Sequence, residues 1–214
     1  MLDVWETIAA RRPIRDLRWV LVHLHVATPT QLARIRKLGA VATTNPISYL
    51  WRSGAAEVSR LSTWGAPGAP QPPRRSGRPG GAVASLDVAI RDPVETLIPH
   101  RSLARLGVPF GLATDNKPAN PWLAFNAAVD RRDMATGEIL GAGQRLSRAQ
   151  ALRALTVGGA WVTFAERERG ILAPGFAADL AVLDLDPLTA PLDELAEMTA
   201  RLTMVGGEVV HGDA

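Results

Sequence analysis

The hydrophobic pattern of the first 24 residues changes from helical spacing to a continuous apolar run. Residues 3–12 predict the end of an amphipathic helix, with Val4, Ile8 and Ala9 on one face. Residues 18–24 then form an unbroken apolar run, RWVLVHL, which is typical of a strand buried on both faces of a parallel sheet. The chain therefore begins with a predicted helix followed by a predicted buried strand.

The same alternation continues through residue 114. Thr28 can cap a helix that begins at Pro29, and Gly39 is typical of its end. Residues 40–44 predict a second short strand. The alternation of helices and strands returns at residue 99, with a predicted helix at 100–106 and a third buried strand at 108–114. Helices that alternate with buried strands favour parallel βα units, so we predict an α/β fold.

The elements after residue 120 are predicted from caps, apolar runs and turn residues. We predict helices at 121–131, from the Ser147 cap onward, at 160–168 and at 192–200, and a hairpin within 201–210 that turns at Gly206-Gly207; residues 180–185 form an apolar run.

A different composition interrupts this pattern at 62–85. The stretch contains five Gly, five Pro and three Arg and no acidic residue. Such a composition does not build a packed core, so we predict a disordered insert. Two interpretations stay open: a genuine loop, or a stretch in which the reading frame departs from an ancestral one.

Composition excludes several classes of protein. The chain has 214 residues, 47% of them hydrophobic, and no Cys, which excludes a disulfide scaffold, a thiolate zinc site and a cysteine nucleophile. No apolar run approaches the length of a membrane span, and the N-terminus lacks the apolar region of a signal peptide. We therefore expect no membrane partner and a cytoplasmic location.

The charge balance does not favour nucleic-acid binding. The formal net charge is only +3, and acidic residues are mixed with the basic ones along most of the chain. The exception is a cluster of Arg74, Arg75 and Arg78, which lacks interleaved aromatic residues and a known motif. We expect no nucleic-acid partner.

Two side chains at predicted strand ends are candidates for chemistry. His23 follows the first strand and Asp115 the third, and a His and an Asp on one face can both bind a divalent metal. His25 has the same parity as His23, which makes it a second candidate. The alternatives are a hydrogen-bonded core histidine and a turn or helix-capping aspartate. His100 and His211 are not expected to be ligands.

Longer segments carry a family resemblance. The segments are GLATDNKPANPWLAFNAAVDRRDMATGEI, GILAPGFAADLAVLDLDP and RWVLVHLHVATPTQLARIRKLGAVATTNP. They resemble the C-terminal part of the amidohydrolase superfamily, in its family-3 branch of metal-dependent amide hydrolases. The resemblance implies a partial TIM (β/α) barrel of about three βα units in 1–169. Part of a small β-sandwich domain would follow in 170–214.

The resemblance also implies roles for the two candidates. His23 falls on the histidine of the family's sixth barrel strand. Asp115 falls on the aspartate of the eighth strand, which binds metal and acts as general base. His25 falls where relatives vary. The implied activity is metal-dependent hydrolysis of carbon–nitrogen bonds other than peptide bonds, in a small-molecule amide-type substrate.

The other ligands of the family are missing from this sequence. The His23–His25 pair lies on what resembles the sixth strand, so the His-x-His motif of the first strand is not found, nor the bridging Lys or acid of the fourth strand or the His of the fifth. We expect a C-terminal half with an incomplete divalent-metal site, suited to zinc and also to iron or manganese, and little turnover by the chain alone. The alternative is an inactive fragment or a subunit that needs a separate N-terminal half. Exposed sheet edges also predict association, either with that half or as a homo-oligomer.

Overall fold

The computed structural model describes residues 1–63, 92–115 and 119–212. Its α-helices are α1 (Leu2–Ala9), α2 (Pro29–Leu38), α3 (Gly54–Ser62), α4 (Pro93–Thr96), α5 (His100–Leu106), α6 (Pro121–Asp130), α7 (Arg148–Leu155) and α8 (Val157–Val162). Its strands are β1 (Val20–Leu21), β2 (Val41–Thr44), β3 (Phe110–Leu112), β4 (Leu180–Leu183), β5 (Ala200–Val205) and β6 (Glu208–His211). Almost all of the predicted insert at 62–85 lies outside the described residues.

The first three strands form a parallel sheet in the order β1-β2-β3. The predicted strand at 40–44 is confirmed by β2, and the third strand is shorter than the predicted 108–114. The strand predicted at 18–24 is reduced to Val20–Leu21. Arg18 and His23 on either side of it have φ angles of 47° and 54°, which extended backbone does not allow. An apolar run alone does not reveal these two turns.

Helix α2 confirms its predicted start and end. The Thr28 side chain accepts a hydrogen bond from the Gln31 amide, and the Gln31 side chain accepts one from the Thr28 amide, which completes a capping box. Gly39 ends the helix with a φ of 68°, a conformation that glycine adopts without strain. The buried face of the helix consists of Leu32, Ile35 and Leu38.

Helix α1 buries a different face from the one predicted. Val4 is 59% exposed and Ile8 also lies at the surface. Ala9 does pack against the cluster that surrounds β1 and α2, as predicted, but Leu2 and Trp5 pack there with it in place of Val4 and Ile8. The rings of Trp5 and Trp19 meet edge to face at 5.2 Å, and this contact with a distant residue determines the rotation of the helix.

The C-terminal part contains an antiparallel sheet in the order β4-β5-β6. The predicted hairpin at Gly206-Gly207 is confirmed, as is the Ser147 cap of α7, which forms a second capping box. The bounds of the helix predicted at 160–168 are wrong, because the helix is observed earlier in the chain as α8. The helix predicted at 192–200 is wrong, because that segment contains only a 3₁₀ turn at Leu195–Glu197. Asp184 accepts hydrogen bonds from the amide and hydroxyl of Thr199, which start β5 where a helix was predicted.

The two sheets, together with the helices around them, make the fold α/β. A hydrophobic cluster joins α6 and α7 to the chain after residue 186, through Phe125, Ala151 and Leu195 among others. Within the described ranges, no helix is both long enough and apolar enough to cross a membrane.

Candidate active site at the carboxyl edge of the parallel sheet

The candidate residues follow the carboxyl ends of the parallel strands. The Leu24 amide donates to the Thr43 carbonyl at 2.9 Å, and the Ala113 amide donates to the Thr44 carbonyl at 2.8 Å. These bonds continue the contacts of β2 with both neighbouring chain segments beyond the ends of β1 and β3. His23 and Asp115 therefore leave the sheet at the same edge, with β2 between them. Strand spacing puts β1 and β3 about 10 Å apart.

His23 lies in a turn rather than in a strand. Its φ of 54° is unusual for a residue that is not glycine, and its ring is half-buried. The Nδ1 atom is buried and has no hydrogen-bond partner in the described chain. A buried ring nitrogen without a partner costs free energy, so this histidine has an unused coordination or hydrogen-bonding position.

His25 does not share a strand face with His23, so the alternation that made it a candidate is wrong. The strand ends at Leu21, and the turn at His23 breaks the period of two. The His25 ring stacks on Tyr49 with centroids 4.6 Å apart, and its Nδ1 lies 3.3 Å from the His23 carbonyl oxygen. Tyr49 also lies 6.3 Å from the His23 ring, edge to face. Tyr49 is a neighbour of both histidines that the sequence does not reveal.

Asp115 leaves the third strand with a φ of 57° and is exposed. Its backbone carbonyl accepts a hydrogen bond from the Thr114 hydroxyl at 3.2 Å. No described group hydrogen-bonds to its carboxylate. Asn116 lies outside the described residues. The carboxylate is thus accessible for a ligand or a proton.

The end of β2, between the two candidates, carries buried polar groups. The Thr44 hydroxyl lies 2.8 Å from Nε2 of His100, which is fully buried at the start of α5. Burial lowers the pKa of His100 well below its ordinary value, so this ring is neutral at neutral pH. Asn45 accepts a hydrogen bond from the Ser48 amide at 3.1 Å and is also fully buried. That His100 is not a ligand stays a prediction: its Nε2 has a partner in Thr44, whereas its buried Nδ1, like that of His23, has none among the described residues.

A second chain segment covers this edge next to His23. The Ile98 amide donates to the His25 carbonyl at 2.7 Å, and the Ala27 amide donates to the Thr96 carbonyl at 3.2 Å. Between these bonds, Val26 and Leu97 form an antiparallel bridge. Residues 96–98 therefore hold the chain that directly follows His23.

Arg131 anchors that segment from the other side. It is fully buried, and its guanidinium donates to the carbonyls of Leu97 (2.8 Å), Ile98 (2.9 Å) and Leu140 (2.6 Å). Burial lowers its pKa to about 10, which leaves it charged at neutral pH. The sequence marks Arg131 only as the end of a predicted helix, because all three carbonyls belong to other segments.

The carboxyl edge of the sheet resembles part of a site for a divalent metal. Imidazole nitrogen and carboxylate oxygen are the ligand types that zinc, iron and manganese accept, and the unpartnered Nδ1 of His23 fits that role. In the ranges that the structure describes, however, no three His, Asp or Glu side chains come together as a metal site would need. The two candidates therefore fit part of a site.

Comparisons of the sequence with known proteins give one family. The model of the amidohydrolase family, in its third branch, matches residues 1–211. The N-substituted formamide deformylase of Arthrobacter pascens is 34% identical over 113 residues, which are 52% of this chain and 21% of that protein. A relative from Bacillus subtilis (strain 168), YtcJ, an amidohydrolase by name, is 26% identical over 59% of this chain and 25% of its own length. The chain spans a quarter or less of these relatives.

Solved structures show the same fold. An uncharacterized metal-dependent hydrolase from Pyrococcus horikoshii matches 90% of this chain and 32% of its own, with a TM-score of 0.62 and 24% identity. An adenosine deaminase from Xanthomonas campestris with bound zinc matches 90% of this chain and 37% of its own, with a TM-score of 0.57 and 17% identity. Because the family model covers nearly the whole sequence, the resemblance is confirmed: the chain belongs to the amidohydrolase family.

Proposed function

We propose that this chain supplies part of the active site of a metal-dependent hydrolase of carbon–nitrogen bonds other than peptide bonds. The observation that carries the proposal is the shared edge of the parallel sheet. His23 and Asp115 both leave it through left-handed turns, one with an unpartnered ring nitrogen and the other with an accessible carboxylate. Left-handed backbone at a residue other than glycine costs free energy, and such strain is typical of functional sites.

Each candidate has a distinct role in the proposed reaction. When bound, a divalent metal polarises the amide carbonyl and lowers the pKa of water. His23 would hold the metal through its unpartnered ring nitrogen. Asp115 would be a second ligand. Its carboxylate accepts a proton as the oxygen of water bonds to the acyl carbon, and passes that proton to the nitrogen as the carbon–nitrogen bond breaks. Asp115 is exposed, and no described group hydrogen-bonds to its carboxylate, which supports this role in proton transfer.

The proposed substrate class is a small molecule with an N-substituted amide bond. The relative from Arthrobacter pascens, which is 34% identical over its matched part, is named for deformylation of N-substituted formamides. A formamide presents the smallest acyl group that this chemistry can take. We therefore choose N-substituted formamides as the first substrates to test, with other linear and cyclic amides after them.

The proposed architecture is that of a barrel in part. The parallel order β1-β2-β3, with a helix after each of the first two strands, agrees with about three βα units of a TIM barrel in 1–169. The antiparallel sheet β4-β5-β6 would then be part of a β-sandwich domain in 170–214. We propose that this chain corresponds to the C-terminal part of its relatives.

A second proposal follows from the number of ligands. A zinc site normally uses three or more protein ligands, and the described chain brings together no such group. This observation favours an inactive fragment, or a subunit whose site is completed by a separate N-terminal half. An open reading frame for the earlier barrel strands, in the DNA beside this gene, would support the subunit.

The experiment measures formate release from an N-substituted formamide by the purified chain with added zinc or manganese. Turnover that disappears in Asp115→Asn and persists in Asp193→Asn, an exposed carboxylate outside the site, supports the enzyme. Turnover that survives Asp115→Asn rejects the role of Asp115. Metal binding without turnover favours the subunit or fragment. A chain that neither binds metal nor turns over contradicts the proposed site.

A further inference from the structure

Arg131 is a buried cation, and its role in ending α6 does not explain its surroundings. Its side chain is fully buried, and its guanidinium donates to three backbone carbonyls rather than to a described carboxylate. Placing a charge in the interior is expensive unless its donors are satisfied. Here all three bonds go to chain segments outside α6, the helix that Arg131 terminates.

Two of those carbonyls belong to the segment that holds the chain after His23. Arg131 donates to the carbonyls of Leu97 and Ile98. The Ile98 amide in turn donates to the His25 carbonyl, and Leu97 bridges to Val26. A continuous series of hydrogen bonds thus runs from the guanidinium to the residues that immediately follow His23.

The residue in the middle of this series is strained. Ile98 has a φ of 41°, and a β-branched residue in this region is a backbone outlier. Its amide donates to the His25 carbonyl. Its own carbonyl accepts hydrogen bonds from the Arg131 guanidinium at 2.9 Å and from the His100 amide at 2.8 Å. Strain of this kind persists only where the surroundings fix the backbone on several sides, and it is concentrated at functional sites.

We propose that Arg131 is a positioning residue for His23: through the carbonyls of Leu97 and Ile98 it fixes the turn that presents the His23 ring. This inference rests on the proposed function of His23 as a metal ligand. Arg131 does not touch the metal or the substrate. Residues that orient a metal ligand commonly change metal affinity by about 10–100-fold when they are replaced.

The first test measures the affinity of the chain for cobalt(II) alone, in variants of Arg131 and in a control variant of Arg18. Arg131→Gln removes the charge and most of the donors, whereas Arg131→Lys keeps the charge but replaces the planar fork with a single ammonium. Arg18→Gln is the matched control, because Arg18 bonds to Glu166 and to the Trp161 carbonyl at the amino end of the sheet. Affinities are measured by titration, and stabilities by urea unfolding.

Arg131→Gln is expected to lower cobalt affinity by about tenfold, and Arg131→Lys by less, while Arg18→Gln leaves it unchanged. A merely structural arginine would lower stability in the same way as Arg18 and leave cobalt affinity alone. A folded Arg131→Gln variant that binds cobalt as well as the native chain therefore overturns the proposal.

The second test measures hydrogen exchange in the native chain, with His23→Asn to locate the zinc, and does not depend on whether the Arg131 variants fold. Coupling between two sites is reciprocal, so a metal at His23 must stabilise the segment through which Arg131 acts. Zinc is expected to slow amide hydrogen exchange of Ile98 and Ala27, but not of Gly207 in the distant hairpin. Zinc binding that depends on His23 but leaves Ile98 and Ala27 unchanged overturns the positioning role alone. Zinc binding that does not depend on His23, or no binding, overturns the proposed function and the positioning role with it.

Discussion

The two ends of the parallel sheet are built on opposite principles. At the amino end, Arg18 pairs with both carboxylate oxygens of Glu166 at 2.5 and 2.9 Å, and its guanidinium lies over the rings of Trp161 and Phe164 at 3.7 and 4.4 Å. At the carboxyl end, His23 has a buried nitrogen without a partner. Paired charge and stacked rings stabilise the fold, whereas unpartnered polar atoms are available for a ligand.

Backbone strain follows the same division. Three residues at or beside the carboxyl edge, His23, Ile98 and Asp115, have φ between 41° and 57°. The amino end also has positive φ at Arg18 and Phe164, but there the two side chains contact each other. Nε1 of Trp161 at the amino end is also buried without a partner, but an indole N–H cannot coordinate a metal, whereas an imidazole nitrogen and a carboxylate can. The comparison therefore teaches that strain beside atoms able to act as ligands marks the site.

The largest effect is expected from close packing at the amino end. Gly158 in α8 lies against the Phe110 carbonyl oxygen so closely that an added Cβ would overlap it. Gly158→Ala should therefore lower the free energy of unfolding by about 3 kcal/mol, because backbone has to move. Gly159→Ala is the control, since nothing lies within 4 Å of its Cβ position. Urea unfolding measures both, and equal stabilities would contradict the packing of α8 on β3.

At the carboxyl edge we expect a substitution to change metal affinity rather than stability. Asp115→Asn changes an exposed side chain with no described partner, so stability should stay within about 0.5 kcal/mol. Zinc affinity should fall by about tenfold, which is about 1.4 kcal/mol, because the anionic ligand is lost. Calorimetric titration and thermal unfolding check the two quantities. A stability loss without an affinity loss would assign Asp115 to the architecture.

A smaller effect is expected at the start of α2, which follows the His23 turn. Thr28→Ala removes the oxygen that accepts from the Gln31 amide and should lower the free energy of unfolding by about 1 kcal/mol. Thr28→Ser keeps the hydroxyl and serves as the control. Zinc affinity should not change in either variant. An alanine variant as stable as the native chain would contradict the observed capping box.

The smallest expected effect is a change in how stability depends on pH in acid. Pairing with Arg18 lowers the pKa of Glu166 from 4.5 to about 2. A carboxylate whose pKa is lower in the folded state stabilises the fold above the unfolded pKa, and this contribution is lost as the pH falls from 4.5 towards 2. In Arg18→Gln the acid loss of stability should therefore be shallower over that range. Unfolding measured from pH 5 to pH 2 with both proteins tests the sign.

Local signals made part of the fold predictable. Thr28 and Gly39 bound α2, and Gly206-Gly207 turns the hairpin, because caps and turns depend on residues only a few positions apart. The rotation of α1 was wrong because Trp5 contacts the distant Trp19. The strand at 18–24 was too long because the turns at Arg18 and His23 have no signal in an apolar run.

The candidate site was also predictable only in part. His23 and Asp115 could be chosen because each follows a predicted strand, and the family resemblance supported both. Arg131 could not be chosen, since the carbonyls it binds come from residues 97, 98 and 140 and carry no side-chain signature. Backbone acceptors are present at every residue, so only the folded chain shows which of them a buried arginine satisfies.

The claim that His23 and Asp115 share one divalent metal is tested most directly by a double-mutant cycle. Cobalt affinity is measured for the native chain, His23→Asn, Asp115→Asn and the double variant, with His211→Asn as the control for a histidine in β6. Two ligands of one ion are coupled, so the double variant should lose clearly less affinity than the sum of the two single losses. Additive losses, or single variants that bind cobalt like the native chain, would contradict a shared metal at this edge.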